Sequence, residues 1–237
     1  MTKPRQDPVG RALLYPYEVP SFGYLFDAGY VTPIDGADFE GRVPVLAYGS
    51  NAAPEQLIRK FGTDEGVRLP VSRASVMGID VVYAALFARY GSVPATIHDS
   101  PGTEVFIHAT WLDEAQLARM HVTEGGGEVY LYGRFPRDRV SIRDAPDPEE
   151  VFVYVATAGA LGPQATALES VPGRSRTFPE AGQRDVQREV QARLAPGTGL
   201  YDFVLANVED DALRAERAAA LAADALPMQV TGFTPLS

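Results

Sequence analysis

The chain of 237 residues contains no cysteine, which excludes disulfides, thiolate metal sites and a cysteine nucleophile together. Its chemistry has to come from oxygen and nitrogen groups. Histidine is scarce as well: His98, His108 and His121 match neither HxH nor HExxH spacing, so a histidine-built zinc site is not expected, and no metal or other cofactor is assigned. Positive charge is short, with 21 Lys and Arg against 31 Asp and Glu and a formal net charge of −10. Binding a phosphate backbone needs a basic face, so nucleic acid is not an expected partner. Long apolar runs are missing too. The longest uncharged stretch, Val151 to Leu168, is interrupted by Gly159, Gly162, Pro163 and Gln164, which a membrane helix would avoid. No apolar segment follows the basic residues of the first eleven positions, so no secretory signal is read, and a reducing cytoplasm is the expected compartment.

What is present is enough apolar material, 46% of residues, to bury a sizeable core as one domain with extensions. Residues 1–40 are rich in Pro, Gly and aromatics without a sustained period, and read as an irregular N-terminal arm laid over a core. Val43 to Tyr48 is short, apolar and β-rich, a buried strand ending at Gly49-Ser50-Asn51. A helix is predicted next, with Pro54 in its first turn, Glu55 at the positive end, Leu57, Ile58 and Phe61 on one face, and Gly62 as the stop. Residues 76–89 and 104–111 read as strands, the first bent near Gly78, with a loop at Tyr90 to Pro94 between them. Asp113 and Gln116 form a capping box for a short helix that turns Leu117 and Met120 inward and ends before Glu124. Val129 to Phe135 and Val151 to Ala156 are further strands. Two helices follow, Gln183 to Leu194 and one long alanine-rich helix from Tyr201 to Ala225 that suits a brace or a homodimer surface. The order predicts an α+β class with a small mixed sheet or barrel flanked by helices: a core over 41–158 and a mainly helical C-terminal extension over 159–237.

Two places combine a strand end, a glycine turn and a polar side chain. In Tyr48-Gly49-Ser50-Asn51 the consecutive N–H groups can converge on an anion or oxyanion; equally, the turn can be an ordinary β-to-α connection with Asn51 capping the helix. In Thr123-Glu124-Gly125 a carboxylate stands at a helix C-terminus, where negative charge is disfavoured. That position suits a general acid or base, and it also suits a solvated turn. Glu128 is the reserve candidate.

Taken together, YGSN at a strand end, the loop Tyr90-Gly91-Ser92-Val93-Pro94-Ala95-Thr96, a short helix and Glu124-Gly125 before a Tyr-bearing strand resemble the gamma-glutamylcyclotransferase-like family over roughly residues 43–156. The resemblance implies a small mixed β-barrel with a ligand cavity at one mouth. It implies that the amides of Gly49, Ser50 and Asn51 hold a γ-glutamyl group, that Tyr48 shapes the floor, that Glu124 is the acid/base and that Tyr130 or Tyr132 lines the pocket. The implied reaction is cofactor-free ring closure of a γ-glutamyl amine or peptide to 5-oxoproline, a cyclotransferase activity of lyase or acyl-transfer type. A noncatalytic ligand-binding or protein-interaction member of the same fold is the alternative. About 40 residues precede the matched segment and about 80 follow it, so specificity is expected to lie in the termini.

Other polar residues have structural readings. His98 and His108, in or next to strands, are expected to be satisfied or partly exposed structural residues, and His121 is placed to tune Glu124 or to sit on the surface. Arg174 and Arg176 are either solvated or reach a substrate carboxylate from the C-terminal segment.

Overall fold

The computed structural model describes residues 7–236, so the first six residues of the N-terminal arm and Ser237 of the C-terminal extension lie outside the described residues. The elements follow as α1 (Pro8–Leu13), β1 (Tyr24–Asp27), β2 (Tyr30–Pro33), β3 (Val43–Ala47), α2 (Pro54–Phe61), β4 (Arg68–Tyr83), β5 (Ala95–Leu112), α3 (Glu114–Thr123), β6 (Tyr130–Phe135), β7 (Val140–Arg143), β8 (Val151–Ala156), β9 (Ala167–Leu168), β10 (Gly173–Arg174), β11 (Glu180–Ala181), α4 (Gln183–Leu194), α5 (Leu200–Glu209), α6 (Asp211–Ala222) and β12 (Thr234–Pro235). This is an α+β arrangement around one twelve-stranded mixed sheet.

The principal strand order is β11-β9-β4-β5-β3-β8-β6-β12, and its two ends do not pair. Of the two expected forms, barrel or sheet, the chain therefore adopts the open sheet. Its spine is the long antiparallel pair β4 and β5, whose register shifts between Met77 and Ile79. Gly78 stands at that shift with φ +78°, a conformation that suits glycine and produces the bend expected there. Strand β3 runs antiparallel to β5 and parallel to β8, so it is an interior strand, and its consecutive residues Pro44 to Ala47 are all buried, which shows both of its faces covered. Its side chains alternate accordingly: Leu46 joins one core cluster with Tyr48, and Val45 and Ala47 join the other.

The first cluster includes Val9 and Ala12 from α1, Val186 and Val190 from α4, Phe203 and Val204 from α5 and Leu221 from α6. The second takes Leu57 from α2 and Met120 from α3, with Tyr24 and Phe26 from β1. Full burial of a side chain such as Leu57 or Phe203 contributes about 1.5–3 kcal/mol, which holds these helices to the sheet more firmly than their own propensity would.

Several sequence expectations change in detail. The N-terminal arm is not wholly irregular: it carries α1 and a β1–β2 hairpin, and β1 pairs antiparallel with β4. Its elements are too short to show a period. The predicted long helix at Tyr201 to Ala225 is two helices, because Asp210 leaves helical geometry and its carboxylate caps α6 by accepting from Leu213 N–H at 2.9 Å. Strand β7 was not expected: Val140-Ser141-Ile142-Arg143 alternates apolar and polar residues, but over only four positions. Helix α2 buries Gln56, Leu57 and Lys60 while Ile58 is exposed, so its inner face is rotated from the apolar one. No helix among the described residues is long and apolar enough to cross a membrane.

Candidate active site

Strand β3 delivers Tyr48 and the turn to the edge of a cavity of about 930 Å³. Tyr48, Gly49, Ser50, Asn51, Glu124 and Tyr130 all lie in its wall, although Asn51 and Glu124 are 73 residues apart in the chain. After Gly49 the backbone winds into a short 3₁₀ turn, Ser50–Ala52, before α2 begins. Two side chains pin this turn from outside: Thr110 Oγ1 donates to the Asn51 carbonyl at 3.1 Å, and the Tyr24 hydroxyl donates to the Ala52 carbonyl.

Gly49 has φ −114°, so its value is not a left-handed conformation. It is space. A Cβ at this position would lie 2.5 Å from the Tyr15 hydroxyl, which accepts the Ala95 N–H at 2.8 Å. Asn51 does not cap α2, whose N-cap residue is Ala53 without a side-chain bond. Instead Asn51 Nδ2 donates to Glu124 Oε1 at 3.1 Å.

Glu124 is the C-cap residue of α3, and Gly125, Gly126 and Gly127 follow it with φ of +86°, +58° and +90°. Those positive angles turn the chain sharply away from the helix end. The expectation of an isolated carboxylate at a helix terminus omitted a partner: Lys60 of α2 forms a close ion pair with Glu124 Oε1. The Lys60 side chain is 6% exposed and that of Glu124 is 12% exposed. Lys60 Nζ also approaches Met120 Sδ at 3.2 Å. Lys60 is the site residue that sequence reasoning missed. The available signal was its spacing, three positions after Leu57 and four after Gln56, which places it on the same buried side of α2.

Tyrosines surround this pair. The Tyr48 hydroxyl donates to the Tyr154 carbonyl at 2.6 Å, and that of Tyr130 donates to the Ala95 carbonyl at 3.0 Å. Burial first, then the Glu124 charge, pushes the Tyr48 phenol far above its ordinary range. Burial does the same to Tyr130 and Tyr15, reinforced by neighbouring phenols. At neutral pH these groups are uncharged hydrogen-bonding walls.

The remaining predicted residues lie elsewhere. Tyr132 is outside the cavity wall: its ring stacks on Phe152 at 5.3 Å and meets His121 at 4.7 Å. The cause is neighbouring aromatic side chains that hold it in a separate cluster. Glu128 is exposed and also outside the wall. His121 is hydrogen-bonded through Nδ1 to the Tyr154 hydroxyl at 2.8 Å, and burial holds its imidazole below the ordinary value. Arg176 is buried at 5% exposure with its fork on Asp80, which is fully buried, and with bonds to the Leu168 and Val171 carbonyls. Arg174 is exposed beside Glu104 at 3.8 Å, bordering a second cavity. Among the described residues, no cluster of three or more His, Asp or Glu could hold a metal ion.

No family model matches the chain, and no curated protein matches it. Solved structures do. One described as a gamma-glutamyl cyclotransferase aligns at 16% identity and TM-score 0.39, over 81% of this chain and 92% of that one. The chain is similar to that protein. A crystal structure of an uncharacterized protein from Homo sapiens aligns at 16% identity and TM-score 0.40, over 81% and 93%. A solution structure from Arabidopsis thaliana aligns at 18% identity and TM-score 0.36, over 51% and 72%.

Proposed function

We propose that the chain is a gamma-glutamylcyclotransferase-like enzyme that closes a γ-glutamyl amine or peptide to 5-oxoproline, with Glu124 as general acid/base. The observation that carries this reading is the meeting of Glu124 with the Gly49-Ser50-Asn51 turn in one cavity, where Asn51 Nδ2 lies 3.1 Å from the carboxylate. The substrate's α-amine attacks its own γ-carbonyl carbon, forming the ring C–N bond. The former amide C–N bond then breaks. Glu124 takes in turn the two protons that the α-nitrogen sheds, one from the ammonium before attack and one from the ring nitrogen after it, and passes them to the leaving nitrogen, so the products are 5-oxoproline and the ammonium form of the released amine, with no oxidant or cofactor consumed. Because nucleophile and electrophile belong to one molecule, holding the glutamyl chain bent supplies much of the acceleration.

Lys60 has a natural place in this scheme. A cation at Glu124 disfavours a second cation nearby, which pushes a bound α-ammonium toward the neutral, nucleophilic amine. Amides of the turn at Gly49 would stabilise the oxyanion that develops on the γ-carbonyl, an effect worth a few kcal/mol in water-poor sites. The buried phenols of Tyr48 and Tyr130 shape the floor as neutral donors already committed to backbone carbonyls.

A second reading, a noncatalytic binding protein, is favoured by one feature: Lys60 and Asn51 both already occupy Oε1 of Glu124. One screen separates the two. Release of 5-oxoproline from γ-glutamyl amines and dipeptides is expected for the wild type, with Glu124→Gln losing roughly 10²–10⁴-fold in kcat. Full turnover by the Gln variant would remove Glu124 from the mechanism, and ligand binding without any release would favour the binding protein.

A further inference from the structure

The cavity wall carries five cationic side chains, Arg11, Arg59, Lys60, Arg89 and Arg119, against the single carboxylate of Glu124. That concentration is notable in a chain of net charge −10. Lys60 is matched to Glu124 and Arg59 to Glu55 of its own helix, so the excess of positive charge on the wall rests on Arg11, Arg89 and Arg119. At one side the arrangement is ordered. The Arg11 guanidinium of α1 lies over the Tyr90 ring at 4.5 Å, and that of Arg59 lies over the Tyr17 ring at 4.8 Å. The two rings are 6.3 Å apart, and Arg11 Nε donates to the Tyr17 hydroxyl at 3.4 Å. Two guanidinium groups thus bracket the Tyr17–Tyr90 pair, of which Tyr90 stands in the cavity wall; Arg59 is paired with Glu55, whereas Arg11 has no carboxylate partner among the described residues. A guanidinium held on a ring face keeps its planar fork oriented for a carboxylate or phosphate, and a concave cationic wall concentrates anions.

We propose that Arg11, supplied by the N-terminal helix, is the specificity-determining residue of an anion subsite for the leaving half of the substrate. The proposal rests on the γ-glutamyl reading and extends it: the amine released carries a carboxylate or phosphate. Along the wall Tyr90 stands between the two halves: it lines the same cavity as Ser50 of the turn, and its ring supports Arg11. A glutamyl group seated on the turn would have its leaving amine directed past Tyr90 toward Arg11.

The test compares γ-glutamyl-alanine, γ-glutamyl-alaninamide and γ-glutamyl-O-phosphoethanolamine as substrates for wild type, Arg11→Met and Arg11→Lys. Wild type is expected to favour one or both anionic compounds over the neutral amide by at least about tenfold in kcat/KM. The carboxylate and phosphate arms identify which anion the subsite takes. Arg11→Met should bring that ratio within about threefold, chiefly through KM, and Arg11→Lys should restore part of it. Equal use of all three compounds by the wild type would overturn the proposal. So would an equal loss on all three in Arg11→Met, because Arg11 would then serve the glutamyl carboxylate or the fold. Calorimetry with glutaryl-alanine and glutaryl-alaninamide, which lack the attacking amine, reads the subsite without turnover. An Arg11-dependent preference there with no 5-oxoproline release would keep the subsite and remove the reaction. Turnover without any preference would do the reverse.

Discussion

Replacing Lys60 by Met keeps a long, flexible side chain beside Met120 and deletes only the ammonium that faces Glu124. Both side chains are nearly buried, at 6% and 12% exposure, so the pair belongs with buried rather than surface ion pairs. Stripping one partner from a buried pair costs about 3–5 kcal/mol, because the remaining charge is left without compensation. Here Asn51 still donates to Glu124 and the cavity admits water, so about 2–3 kcal/mol is expected. At roughly 2–4 °C per kcal/mol for a chain of this length, the melting midpoint should fall by roughly 4–12 °C. Urea unfolding followed by circular dichroism on Lys60→Met, Glu124→Gln and the double variant gives the cycle. The double variant should be little worse than Glu124→Gln alone, with a coupling energy of at least about 1.5 kcal/mol. If the two single losses add within about 0.5 kcal/mol, the pair is not energetically coupled and the account of this site is wrong.

Gly49→Ala should cost about 1–3 kcal/mol, because its Cβ would sit 2.5 Å from the Tyr15 hydroxyl; adding Tyr15→Phe should recover most of the loss, and unchanged melting of Gly49→Ala would refute the steric argument. Arg176→Met leaves the fully buried Asp80 without its guanidinium and should cost about 3–5 kcal/mol. Arg176→Lys should rescue little, since the fork also satisfies two carbonyls; wild-type unfolding curves for either variant would contradict this. Burial holds His108 below its ordinary value of 6.5, so as pH falls the unfolded chain binds the proton first and stability declines. The decline begins below about pH 6.5 and levels off beneath the folded value, with His121 contributing in the same direction. His108→Gln should flatten the slope measured in urea between about pH 7 and 5, and an unaltered slope would exclude His108 as its source.

The strand β3, the capping box of α3 and the full extent of α4 were legible because each rests on local chemistry: an apolar run, a reciprocal side-chain cap and a 3.6-residue apolar period. The break between α5 and α6 was harder to see, since Asp210 and Asp211 read as ordinary polar helix residues until one of them caps the next helix. Of the candidate site, Glu124, Asn51 and Tyr130 were identifiable as types at glycine-punctuated strand and helix ends. Tyr132 was not separable from Tyr130 by sequence, because only the neighbouring rings of Phe152, Tyr154 and His121 show where it packs.

The residue sequence by itself determined what chemistry is available: without a thiol, and with three unclustered histidines, proton transfer falls to carboxylates and fixed dipoles. Through local periodicity it also determined the order of the longer elements from β3 to α4, though not α1, β1, β2 or β7, nor the break between α5 and α6. Which groups meet was decided only by the tertiary structure. The ion pair of Lys60 with Glu124 spans 64 positions, and the contact of Tyr15 with Ala95 spans 80. Contacts at such separations depend on sheet register and helix docking, which no local pattern encodes. The same reason explains the N-terminal arm, which reads as irregular along the chain yet in three dimensions supplies Tyr15 over the glycine turn, Tyr24 beneath it and Arg11 at the cavity wall.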